Sequence, residues 1–175
     1  MRCAVVTLGV LVAAASARAQ DTTPSPHLRA EAADLRTLLR ATAAASPALQ
    51  ALVARLEGSD LIVYIGVRQL PDSMNARIGW IGAAAGVRFL RIEVACARPT
   101  DVQAAALAHE LRHAAEIADA PWIDGTAALA AHYSRIGSRT GGADHLMFET
   151  DAARAFGERV RNEVAAARRV NAAER

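Results

Sequence analysis

The sequence predicts an α+β fold, a small mainly antiparallel or mixed sheet packed on helices. Three observations carry that expectation. Residues 60–68, 76–84 and 87–95 form apolar or alternating runs rich in Val, Ile, Leu and aromatics, the pattern of strands. Stretches on both sides of them repeat their apolar residues every three or four positions, the pattern of amphipathic helices. With 175 residues, the chain is long enough for one domain with a real core.

Met1 to Ala19 resembles a secretory signal: Arg2, an apolar run from Ala4 to Ala15, then Ala17-Arg18-Ala19 as an A-x-A cleavage site. The run is too short for a permanent membrane span. Gln20 is the expected new N-terminus, and a periplasmic or extracellular location follows. Cleavage removes Arg2 and Arg18 from 20 basic residues, leaving 18 against 18 acidic ones. A near-neutral net charge gives no sign of a nucleic-acid backbone as partner. Cys96 is the one cysteine beyond the signal, so no internal disulfide is expected. Its setting, Val94-Ala95-Cys96-Ala97, reads as buried strand.

Residues 20–58 read as an N-terminal helical segment and 59–175 as the main domain. Asp21 to Pro26 is a polar linker. A helix is expected from His27 or Leu28 to Ala45, with Leu28, Leu35, Leu38 and Leu39 on one face. Ser46-Pro47 restarts a second helix that ends near Gly58. Residues 60–68 are almost wholly apolar and should lie centrally in the sheet. Residues 87–95 alternate more clearly, with Arg88, Arg91 and Glu93 set against apolar neighbours, and read as a half-exposed edge strand. Such an edge can pair with an extended peptide.

The next helix, Asp101 to Ala118, should be capped by Thr100 with Gln103 completing a capping box. It carries His109-Glu110-Leu111-Arg112-His113, the pattern H-E-x-x-H. Histidines four apart lie one turn apart on the same face, because the helix repeats every 3.6 residues. Two imidazoles so placed can grip one Zn²⁺, and Glu110 can then take a proton from water on the metal. The flanking Ala104–Ala108 and Ala114-Ala115 are apolar and helix-favouring. Glu116 follows His113 by three residues, and either orients an imidazole or is solvated.

A catalytic zinc ion commonly takes three protein ligands and a water. A short helix, Thr126 to Ile136, brings His132 and Tyr133. Asp144 is read as the cap of a last helix from His145 to about Val170, whose apolar stripe is Glu149, Ala153, Phe156, Val160, Val164 and Ala167. A carboxylate on a packing face is costly unless paired or metal-bound. Glu149 is therefore the expected third ligand, with a salt bridge to Arg112 as the alternative. His145, one turn earlier, either replaces it or hydrogen-bonds the substrate. Tyr133 or His132 is a candidate for polarising a substrate carbonyl.

These residues resemble the gluzincin type of zinc metallopeptidase: HELRH on an apolar-flanked helix, then Glu149 in Phe148-Glu149-Thr150-Asp151. The resemblance covers about residues 60–170. It implies a minimal single-domain zincin-like fold with an active-site helix and a glutamate helix. It also implies Zn²⁺ on His109, His113 and Glu149, with Glu110 as general base. Two departures are plain. The E-x-x-x-D pattern would need an acid where Ala153 stands, and the chain is too short for a large C-terminal subdomain. A secreted or periplasmic peptidase acting on peptides or proteins is thus expected. A non-catalytic zinc-stabilised or partner-binding domain is the alternative, and residues 20–58 are a candidate pro-segment.

Overall fold

The computed structural model describes residues 25–140 and 147–174. The expected signal segment, the Asp144 cap and His145 lie outside the described residues. The chain runs β1 (Leu28–Ala30), α1 (Ala33–Ala45), α2 (Pro47–Glu57), β2 (Leu61–Arg68), β3 (Ala76–Ala84), β4 (Val87–Ala95), α3 (Thr100–Ala118), α4 (Thr126–Ile136), β5 (Ser138–Thr140), β6 (Met147–Glu149) and α5 (Asp151–Ala173). It is an α+β fold with a mixed four-stranded sheet in the order β1-β2-β4-β3.

Strand alternation sorts the sheet into two faces. Val63, Ile65, Leu90, Ile92 and Val94 are fully buried on one face. They pack with Leu35 of α1, Leu49 and Leu56 of α2, and Leu107, Leu111 and Ile117 of α3 in a single core. The other face carries a charged ladder: Arg91 meets Glu31 at 2.5 Å, and Arg77 meets Glu93 at 2.6 Å. β3 and β4 join through Ala85 and Gly86, whose φ values are +52° and +79°. Two left-handed residues in a two-residue loop match the twist of an antiparallel hairpin, and glycine takes its place without strain.

Several expectations need correction. The helix expected from His27 or Leu28 starts only at Ala33, because Leu28–Ala30 forms β1 and pairs in parallel with Val63–Ile65. The strand 87–95 is not an edge. It lies between β2 and β3, so the edges are β3 and β1. The charge pattern misled because Arg88 points to the core side. There its guanidinium grips Asp60 at 2.6 and 2.7 Å and the carbonyls of Ile117 and Ala120 at 3.0 and 2.8 Å. The open carbonyls at a helix C-terminus make a buried arginine affordable there. Cys96, just past β4, is exposed rather than buried. Thr100 is the first residue of α3 and not its cap; Pro99 occupies that position, and the Gln103 amide donates to the carbonyl of Ala95 at 2.8 Å.

The last helix begins later than expected. Thr150 caps α5, its hydroxyl accepting from the amide of Ala153 at 3.1 Å. Glu149 therefore stands just before the helix, at the end of β6, and not on a helical packing face. Below it, Ala153, Gly157, Val160 and Val164 form the buried stripe of α5.

Candidate metal centre

Helix α3 lies between the sheet and α5, and its middle turns carry the motif. His113 is buried, while the His109 side chain is 19% exposed. Their rings meet edge to face with centroids 4.9 Å apart. Glu110, between them, is buried with its carboxylate near the backbone amide of Ile78 on the edge strand β3.

Glu149 reaches this pair from β6. Its Oε1 is 3.1 Å from His109 Nε2 and 3.6 Å from His113 Nε2. One ligating atom from each of the three residues lies within 4.8 Å of the other two. Atoms bound about 2.0–2.2 Å from a tetrahedral ion stand roughly 3.4 Å apart. The two carboxylate separations bracket that value, so the donor set is of a kind that could hold a small dication. Glu149 faces the imidazoles, not Arg112.

The supporting contacts are specific. His113 Nδ1 lies 2.8 Å from Glu116 Oε2. A carboxylate there accepts the Nδ1 proton, so that Nε2, which faces Glu149, is the nitrogen that would bind an ion on losing its own proton. Glu116 Oε1 accepts in turn from the Thr150 hydroxyl at 2.8 Å. One side chain, Thr150, thus caps α5 and braces the carboxylate that orients His113. Glu116 is accordingly buried and engaged, not solvated.

Two glycines, Gly137 and Gly157, let the elements close on the ligands. Gly137 is legible in the sequence as the end of α4, but neither glycine is marked there as part of the site. A Cβ on Gly157 would stand 3.2 Å from His109 Cβ and 3.1 Å from the carbonyl of Ala105, so α5 packs tightly on α3 only without one. A Cβ on Gly137 would stand 2.8 Å from the Glu149 carbonyl. A glycine inside the regular stripe of α5 was the available signal, since it weakens a helix unless close packing needs it.

Tyr133 also faces the cleft, but its hydroxyl donates to the His113 carbonyl at 3.1 Å. Its ring meets His113 edge to face and stacks on Phe148. In this geometry its proton holds α3 and does not point at a substrate. His132 is buried beside Tyr133 and Trp122, with its Nε2 unpartnered among the described residues.

Burial and charge perturb every member. Burial lifts the Glu110 carboxyl to about 7, against the pull of His113. Burial lowers His109, more than the charge of Glu149 restores. Burial also works against a charged His113, yet its hydrogen bonds to Glu116 and Glu149 raise it to about 9. Glu149 is held below the usual carboxylate range, its burial being outweighed by the two histidines. Three carboxylates around two imidazoles leave an excess of negative charge, which a cation would balance.

The cluster lies in an open cleft of about 960 Å³. One wall is the start of β3 with the turn before it; the others come from α4 and α5. None of residues 25–58 lines it. No family model matches the chain, and no match was found to a curated protein or a solved structure.

Proposed function

We propose that this chain is an exported zinc-dependent peptidase. The observation that carries the reading is the approach of Glu149 to both motif histidines in the cleft that also holds Glu110. His109, His113 and Glu149 would hold Zn²⁺. When bound, the ion lowers the pKa of water and polarises a carbonyl. Glu110 is the group that takes a proton and passes it to the leaving amine. Burial brings its proton affinity near neutrality, where a group can both accept and release. Glu116, braced by Thr150, keeps His113 presenting Nε2. A peptide enters between the start of β3 and helix α5. Export rests on the signal-like first 19 residues, and a mature N-terminus at Gln20 found by mass spectrometry would support it.

Metal analysis of purified protein tests the reading directly. One zinc per chain is expected, falling to a small fraction in His113→Ala. Protein without stoichiometric zinc would end the proposal. The engaged hydroxyl of Tyr133 favours a second reading, a zinc-stabilised binding domain without catalysis. A zinc-loaded wild type that cleaves no member of a broad peptide library would decide for that reading.

A further inference from the structure

Helix α5 borders the cleft with charges that the proposed chemistry does not use. Arg154, Arg161 and Arg168 recur every seven residues, so they share one side of the helix. That side flanks the buried stripe of Ala153, Gly157, Val160 and Val164. Arg154 and Arg161 line the cleft itself; Arg161 and Arg168 line a smaller neighbouring depression. Arg154 stands close enough for its charge to act on the His109 imidazole. The row therefore begins at the histidine cluster and runs outward along the helix.

The row has little internal compensation. Among the described residues Arg154 meets only Asp151, at 3.3 Å, and that carboxylate is fully exposed. Among the described residues neither Arg161 nor Arg168 forms an ion pair. Glu110, Glu149 and Glu158 share the cleft with Arg154 and Arg161, while the outer depression holds Asp101 and a further cation, Arg169. Positive charge exceeds negative in the outer depression, where Arg161, Arg168 and Arg169 face Asp101.

We infer that this arginine row selects acidic peptides, reading carboxylates at fixed distances from the bond to be cut. The inference rests on the peptidase reading for the word "cut" but not for binding. The spacing fixes the register. Seven helical residues rise about 10 Å, and an extended peptide advances about 3.3 Å per residue. With Arg154 beside the reacting centre, Arg161 faces a side chain about three residues from the scissile bond and Arg168 one about six residues away. The carboxylate is either an acidic side chain or a free C-terminus at the same distance.

The test uses zinc-loaded full chain and fluorescein-labelled peptides of about fourteen residues, identical except for one glutamate moved along an otherwise neutral sequence. Anisotropy with Glu110→Gln measures binding without turnover, and wild-type cleavage gives kcat and KM separately. Glutamate three or six residues from the cut should tighten binding and lower KM about fivefold at each position, leaving kcat unchanged. Arg161→Ala should erase the first preference and Arg168→Ala the second, both leaving the neutral peptide unaffected. Amidated and free C-termini placed at those positions distinguish the two carboxylate sources. Equal binding of glutamate, glutamine and lysine peptides would overturn the inference, as would a preference that survives both arginine variants. Position-dependent binding without any cleavage would uphold the track while refuting the peptidase reading.

Discussion

Helix α3 carries two clusters of buried charge, and they are built on opposite terms. At its C-terminal end Arg88 meets Asp60 through two hydrogen bonds and satisfies the carbonyls of Ile117 and Ala120. One cation faces one anion, and the guanidinium has partners on every side. Two turns earlier, His109 and His113 face Glu110, Glu116 and Glu149. Acids outnumber bases, the carboxylate of Glu110 is buried with no side-chain cation bonded to it among the described residues, and a cleft opens on the group. The first cluster is closed and its product is stability. The second is left incomplete, as a site must be if something else is to finish it.

Breaking each cluster should therefore give different phenotypes. The largest effect expected is on turnover. Glu110→Gln keeps the shape and removes the base, so kcat should fall by at least about a hundredfold. Zinc content and thermal midpoint should stay near wild type, since a buried acid of raised proton affinity is replaced by a neutral group. A variant that lost zinc together with activity would make Glu110 a structural residue.

Arg88→Ala should do the reverse. It orphans two helix-end carbonyls and empties a filled space, at a cost of about 2–4 kcal/mol read from urea unfolding. Zinc stoichiometry at temperatures where the variant is folded should be unchanged. Arg88→Lys recovers the charge but not the fork, and should fall between the two. Equal stability of wild type and Arg88→Ala would remove the distinction drawn between the clusters.

A finer probe is Thr150, which belongs to the second cluster through Glu116. Thr150→Val removes the hydroxyl while keeping the shape. Zinc affinity by chelator competition should weaken about tenfold, as for other groups that orient a ligating histidine. The lost helix cap should cost a further 1 kcal/mol or about that. Thr150→Ser should restore both. Restoration of stability without restoration of zinc affinity would show that the hydroxyl acts only as a cap.

The motif helix was legible because its signal is local: a 3.6-residue repeat puts His109 and His113 together whatever surrounds them. Glu149 was singled out as the third ligand for a reason that the structure does not support. Its four-residue spacing from Ala153 resembled helix periodicity, but Thr150 ends the helix in between and leaves Glu149 on β6. β1 escaped notice because three residues beside a helical pattern carry no period of their own; Val63 supplies its partner from 35 residues away. The central place of β4 was hidden by Arg88, whose acceptors belong to a helix end that no strand pattern reveals. Gly137 and Gly157 matter through what approaches them, which is a property of the folded chain alone.

The smallest effect expected separates the clusters by pH, through Asp60. Its hydrogen bonds from Arg88 hold its carboxyl below the ordinary range, outweighing the opposing effect of burial, and the charge of Arg88 adds to them. A carboxyl with a lower pKa folded than unfolded binds its proton more readily in the unfolded chain. Its contribution is complete above the unfolded value of about 3.9 and is lost as pH falls from there through the folded value. Asp60 is 41% exposed, so solvent screens the pair and the dip should be shallow. Thermal midpoints measured from pH 6 down to about pH 3 should therefore fall less steeply for Asp60→Asn than for the wild type. Parallel curves would mean that Arg88 owes its hold to the helix carbonyls alone, and that the closed cluster is a cap rather than an ion pair.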